Sequence, residues 1–232
     1  MHHQPNLADL IQAIVMDLDG TINTSTSYYN TLRQHTISYI AKRKGISRAE
    51  AEKLLLEAKK KLKSTVKAIE SLGISRYDYH REMAACMDVF KLVPKDPSFL
   101  KLIQTLKSFG FKLGVLSNTG RELVLKVLQA KGCEIDFFDV ILTSDETELK
   151  PSTKPYLLIC QRLNVSPEYV LYVGDRLELE LEPASKVGMK TVLVKSSLNL
   201  LKGRTTVMAI ESIYELRSLI KELAEESLLR KK

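Results

Sequence analysis

No stretch of this sequence holds about 18 consecutive apolar residues, so nothing in it reads as a membrane span. Met1 to Leu10 lack the basic-then-apolar order of a secretory signal, and a cytoplasmic protein is expected. Cysteine is scarce. Cys86, Cys133 and Cys160 are odd in number and have no Cys-x-x-Cys spacing, which argues against a disulfide framework and for reduced thiols. Internal repeats and low-complexity segments are absent, which removes solenoids and linker arrays. The formal charge of +7 allows attraction to anions, but no nucleic-acid motif accompanies it, so no nucleic-acid partner is expected. His2 and His3 read as a loose start of the chain rather than a metal site.

What is present begins with length. At 232 residues and 44% hydrophobic, the chain can form one large domain or a core with a smaller insert. Residues 14 to 21 read Ile14-Val15-Met16-Asp17-Leu18-Asp19-Gly20-Thr21: an apolar run, two acids and a turn glycine. In an alternating strand, Asp17 and Asp19 fall on one side of the chain, over the crevice where parallel sheets bind ligands. Two carboxylates that close repel each other unless a cation or a shared proton intervenes.

From Thr21 to about Val93 the pattern is helical and no strand signal appears. Ser47 and Glu50 form a capping-box pair, and Leu55, Ala58, Leu62, Val66 and Ile69 make one apolar stripe on a helix that Gly73 can end. Lys59, Lys60, Lys61, Lys63 and Lys67 crowd its other surface, as a solvated face or as an attraction for a phosphate-bearing substrate. A second helix is expected from Ser75 through Tyr79, Met83, Cys86 and Phe90. Strands then alternate with helices: Lys112–Leu116, Val140–Thr143, Val170–Val173, Thr191–Val194 and Thr206–Ala209, with a last helix from Ile213 to about Leu229. This predicts an α/β, Rossmann-like parallel sheet covered on both faces, with an all-helical cap inserted after the first strand. The expected division is 1–20 and 95–232 for the core and 21–94 for the cap.

The strand ends deliver Asp17 and Asp19, Ser117 and Asn118, and Asp175, while a loop delivers Lys150. The right-handedness of parallel crossovers brings these ends to one sheet edge. A carboxylate can accept a phosphoryl group, a second can shuttle a proton, and a lysine with a hard cation can balance the equatorial charge. Oxygen-only ligands favour Mg²⁺.

In the order Asp-Leu-Asp-Gly-Thr, Ser-Asn-Thr-Gly, Lys-Pro and Val-Gly-Asp, the chain closely resembles the haloacid dehalogenase-like (HAD) superfamily, over nearly everything outside the helical insert. The resemblance implies Asp17 as nucleophile, Asp19 as general acid/base, Ser117 as a phosphate donor and Lys150 as the charge-balancing cation. It implies Mg²⁺ held by Asp17, Asp175 and the carbonyl of Asp19, with Gly20 and Asn118 as further phosphate contacts. Asp19 favours phosphate-ester hydrolysis over dehalogenation. Many relatives carry a second acid five residues after the Asp175 position; Glu180 stands there, and Glu178 is the alternative. A weaker similarity to the pyrimidine 5′-nucleotidase-like branch rests on Asp78-Tyr79-His80 and on Lys91 to Pro97. Tyr28, Tyr29, Arg33, His35 and His80 are candidate pocket residues. The expected function is a Mg²⁺-dependent phosphatase acting on small phosphate monoesters, as a monomer or homodimer. A phosphosugar mutase and a non-catalytic binding protein are the alternatives.

Overall fold

The apolar run before Asp17 forms strand β1 (Ala13–Met16), and all four of its residues are buried. The computed structural model describes residues 11–194 and 208–229, with side chains of the last helix described to residue 222. Met1 to Leu10, with His2 and His3, and the first two residues of the expected strand at Thr206 lie outside the described residues. β1 pairs in parallel with β2 (Lys112–Ser117) on one side and β4 (Val170–Gly174) on the other. With β3 (Val140–Thr143), β5 (Lys190–Val194) and β6 (Met208–Ile210), the order is β3-β2-β1-β4-β5-β6, all parallel. This is a Rossmann-like α/β fold, and a central strand covered on both faces needs the continuous apolar run that β1 has.

Alternation along the strands splits the core into two layers. Ile14, Met16, Val115, Leu171 and Val173 face α6 (Pro97–Ser108) and α7 (Arg121–Ala130). Ala13, Val15, Leu116 and Tyr172 face α8 (Lys154–Leu163), through Tyr156, Ile159 and Leu163. The remaining helices of the core are the short α9 (Glu182–Lys186) and the terminal α10 (Leu216–Leu229).

Between β1 and α6 the chain is entirely helical: α1 (Thr26–Lys44), α2 (Arg48–Leu62), α3 (Thr65–Ser71), α4 (Arg76–Cys86) and α5 (Val89–Leu92). Ser25, Ser47, Ser64 and Ser75 each accept a backbone N–H from the first turn of α1 to α4, filling donors a helix start leaves open. The Ser47–Glu50 capping box forms as expected. The single helix expected from Ser47 to Gly73 is instead two. Lys63 adopts a left-handed conformation (φ 53°) and Ser64 caps a new helix, while the apolar stripe continues across the break. Phe90, expected on an apolar face, is exposed because α4 stops at Cys86 and a short separate helix follows. The outgoing and returning connections are tied together where Ser25 Oγ donates to the Leu92 carbonyl (2.6 Å).

Candidate active site

Beyond Met16 the chain leaves the sheet at its C-terminal edge, where the strand order reverses around β1. Asp17 still donates its N–H to Val173 O (2.9 Å), which fixes the side chain at the crevice. The chain then doubles back: Asn23 N–H donates to Leu18 O (2.7 Å) and Gly20 N–H to Asn23 O (2.8 Å). Gly20 has φ 100°, a conformation open to glycine, and a Cβ there would collide with the Asp175 carboxylate. Gly20 was expected to contact phosphate; its N–H is instead committed to this turn, and its missing side chain makes room for Asp175.

Lys150, which precedes a cis peptide bond to Pro151, is 3% exposed. Its three N–H groups serve four acceptors within reach, Asp17 Oδ1 (2.5 Å), Glu180 Oε1 (2.8 Å), Leu116 O (3.1 Å) and the Tyr172 hydroxyl (3.1 Å), so that one N–H is shared. Burial disfavours the ammonium, but Asp17 and Glu180 outweigh that and hold its pKa above the ordinary lysine value. Asn118, expected at the phosphate, clamps the backbone of Lys150: Oδ1 accepts Lys150 N–H (2.7 Å) and Nδ2 donates to Lys150 O (3.1 Å). Ser117 is buried, its Oγ accepts the Thr119 N–H (3.0 Å), and it lines the cavity.

Carboxylate oxygens of Asp17, Asp175 and Glu180 lie within 4.8 Å of one another. Glu180 comes from a widened helical turn, Leu177–Leu181, directly after Asp175. Gly174 lets it approach, since a Cβ there would sit 2.6 Å from Glu180 Oε2. Glu178 points the other way and pairs with Lys63 (2.5 Å), so Glu180, and not Glu178, joins the acid cluster. Asp19 accepts the Thr119 hydroxyl (2.5 Å). Burial pushes Asp17 well above the usual carboxylate range, and the Glu180, Asp19 and Asp175 charges add to it against Lys150. Burial and Glu180 raise Asp175 to about 6, and burial raises Asp19. One oxygen each of Asp17, Asp19, Asp175 and Glu180 is buried without a hydrogen-bond partner. With all four ionised, a single ammonium leaves three net negative charges in a buried space, which is costly unless a cation or protons enter. An oxygen-only donor set of this kind suits a hard divalent cation.

A cavity of about 170 Å³ opens over Asp17 and Asp19. The helical layer closes it with Tyr29, Leu32, Ser64, Val66, Tyr79 and His80. Two of the five candidate pocket residues, Tyr29 and His80, line it. Tyr28 is buried beside it, Arg33 pairs outside with Glu52 (2.6 Å), and His35 faces a separate groove with Tyr39 and Lys42. The lysine face of α2 and α3 meets the core where Lys63 pairs with Glu178 and its carbonyl accepts from Arg176. Sequence reasoning missed Thr119, Tyr172 and Arg176. Their one signal was position: two after Ser117, and either side of the Val173–Asp175 strand end.

The chain compares with known proteins over almost its full length. It is 27% identical to "Glyceraldehyde 3-phosphate phosphatase" of Methanocaldococcus jannaschii across an alignment of 245 residues, covering 94% of this chain and all of that one. It is 27% identical to "Pyrophosphatase PpaX" of Bacillus mycoides over 213 residues, 89% of this chain and 92% of the relative. Among solved structures, a HAD phosphatase from Thermococcus onnurineus superposes with a TM-score of 0.67 at 23% identity, covering 90% of this chain and 98% of that one. A β-phosphoglucomutase from Clostridium difficile gives 0.61 at 21% identity, over 94% and 99%. These two likenesses concern the fold. The family described as haloacid dehalogenase-like hydrolase matches residues 14–194, which takes in β1 from its second residue, β2 to β5 and every residue of the acid cluster, and the chain belongs to that family.

Proposed function

We propose that the protein is a Mg²⁺-dependent phosphatase of small phosphate monoesters that works through an aspartyl-phosphate. The observation that carries this reading is the set of Asp17, Asp175 and Glu180, with Lys150 bound to Asp17 and Glu180 and with Asp19 two residues after Asp17. Asp17 attacks phosphorus and the ester P–O bond breaks. Asp19 gives its proton to the leaving oxygen; burial, which favours its neutral form, supports that role. A water then attacks the phosphorus, Asp19 takes the water's proton, and inorganic phosphate leaves with Asp17 restored. Lys150 and the Ser117 hydroxyl hold the phosphoryl oxygens. Asp17, Asp175, the Asp19 carbonyl and, through water, Glu180 would hold Mg²⁺, which when bound supplies positive charge beside the phosphoryl group.

Residues 21–94 are read as a cap domain over a core of 1–20 and 95–232, hinged near Thr21 to Thr24 and Pro94 to Pro97. Its side chains in the cavity support a role in excluding water during transfer. A cavity of about 170 Å³ is smaller than the roughly 300–1,000 Å³ of drug-sized pockets, which favours short phosphate esters such as triose phosphates over nucleotides. No helix among the described residues is long and apolar enough to cross a membrane. Three unpaired cysteines support a cytoplasmic location, and a monomer or homodimer is expected. A phosphate-release screen over triose, sugar and nucleotide monophosphates with Mg²⁺ tests the reading. Release of inorganic phosphate supports it, isomer formation without release would make the protein a mutase, and no turnover would leave a binding protein.

A further inference from the structure

His80 lines the cavity, and its ring is held from the core, outside the cavity. It sits on α4 and is buried (6% exposed), and its Nδ1 lies 2.8 Å from Asp145 Oδ1 in the core. Asp145 is fixed in turn, because its second oxygen accepts the N–H of Arg121 at the start of α7 (2.7 Å). Burial would raise Asp145, but the hydrogen bonds from His80 and Arg121 more than offset it and hold the carboxyl below its ordinary value. Gly120 supplies the seat: a Cβ there would stand 2.6 Å from Cβ and Cγ of His80. Its φ of −66° suits any residue, so space and not backbone conformation calls for glycine at this position. The core thus presents a socket, made of Gly120 and Asp145, for one imidazole from the helical layer.

The other ring nitrogen is unused. Nε2 is buried and has no hydrogen-bond partner, while the ring lines the cavity over Asp17 and Asp19. A buried nitrogen left unpaired is destabilising. With Asp145 ionised, Nδ1 carries the proton donated to it, and Nε2 of the neutral ring is an acceptor. No side chain of the cavity is hydrogen-bonded to it: Leu32, Val66 and Leu123 are apolar, the Tyr79 hydroxyl is already paired with Thr36 (2.9 Å), and the hydroxyls of Ser64 and Thr65, which also line the cavity, do not reach it. A group that donates to Nε2 must therefore come with the ligand. A hydroxyl meets this need in either protonation state, because it can also accept from Nε2–H; a carbonyl or a carboxylate cannot donate.

We propose that His80 is a substrate contact whose Nε2 binds a hydroxyl on the organic part of the ester, with Asp145 and Gly120 as positioning residues, so that the preferred substrates are short hydroxylated phosphate monoesters. This rests on the phosphatase reading above. The apolar walls take the carbon chain, and the imidazole distinguishes a polyol from an alkyl chain of equal length.

The test compares glycerol 3-phosphate with propyl phosphate. The expected preference in kcat/KM is roughly ten- to hundredfold for the hydroxylated ester, from one buried hydrogen bond and the penalty of leaving Nε2 unpaired. His80→Phe brings that ratio close to one. Gly120→Ala, which leaves every polar group in place but displaces the ring, lowers it in the same direction, and Asp145→Asn does so partially. A second readout does not need turnover. The chain has four histidines, so side-chain ¹⁵N spectra can follow His80 directly, with His35 on its separate groove as the control. The phosphonate analogue of glycerol 3-phosphate shifts the Nε2 signal, and propyl phosphonate does not. An unchanged ratio in both His80→Phe and Gly120→Ala overturns the proposal and leaves the phosphatase reading intact. If neither ester is hydrolysed, the phosphatase reading falls, and an Nε2 signal unmoved by the hydroxylated phosphonate overturns the His80 assignment as well.

Discussion

Glu180→Gln separates the charge of the acid cluster from its shape. Gln keeps an oxygen to accept from Lys150, so the 2.8 Å contact survives, and it keeps the volume that Gly174 accommodates. What it removes is one negative charge within 4.8 Å of Asp17 and Asp175. At that separation and an effective dielectric of ~20, two unit charges interact by about 3.5 kcal/mol. Without Mg²⁺ the variant is relieved of that repulsion but also loses the charge attraction between Glu180 and Lys150, so the two changes oppose each other in its stability. Asp175, raised to about 6 by burial and then by Glu180, titrates lower. Mg²⁺ loses attraction by the same route, offset by its retained waters, and outer partners of this kind are typically worth 10–100-fold in metal affinity. That is about 1.4–2.8 kcal/mol, so calorimetric titration of Mg²⁺ should give a Kd at least ~10-fold weaker. Glu178→Gln is the control, because Glu178 faces Lys63 outside the cluster. A Mg²⁺ affinity unchanged in Glu180→Gln, or weakened equally in Glu178→Gln, refutes the reasoning.

Three further outcomes follow from the same geometry. Gly20→Ala forces a side chain into a conformation with φ 100° and into the Asp175 carboxylate, at a cost of about 1–3 kcal/mol for the strain alone; thermal unfolding should show a lower Tm and no rise with Mg²⁺, and a wild-type response would contradict the role given to Gly20. Because Asp175 is raised to about 6 in the fold, it binds more protons folded than unfolded between about pH 4 and 6, and the stability this gives without metal is lost as pH rises through that window; Asp17, raised further by burial, adds in the same direction. Mg²⁺ needs those carboxylates ionised, so the Mg²⁺-induced rise in Tm should grow from pH 5 to pH 7; a rise independent of pH would count against the cluster as the cation site. Ser25→Ala removes both a helix cap and the 2.6 Å tie to Leu92, and should lower stability by about 1 kcal/mol, read by denaturant unfolding; no change would mean that the two connections are not held together there.

The strands and their exits were legible because buried parallel strands must be apolar throughout, and the polar residues that interrupt them, Asp17, Ser117 and Asp175, mark where the sheet ends. Glu180 was legible only as a spacing. At ordinary helical pitch, five residues do not bring two side chains to one face, and the widened turn over Leu177–Leu181 is what turns it inward. The break at Lys63 was invisible because Leu62, Val66 and Ile69 keep their period across it. The clamp that Asn118 makes was not legible, because its partners are backbone atoms of a residue 32 positions later, which no local pattern reports. The socket at Gly120 and Asp145 joins elements far apart in sequence, and only the fold brings them to His80.

The central claim is that Asp17 accepts the phosphoryl group. The most direct measurement is phosphate release from glycerol 3-phosphate with Mg²⁺ by wild type and Asp17→Asn, together with binding of beryllium fluoride, a phosphoryl mimic, followed by ¹⁹F NMR. The account predicts turnover and a bound fluoride signal in wild type, and neither in a folded Asp17→Asn. Near-native phosphate release by Asp17→Asn would contradict it.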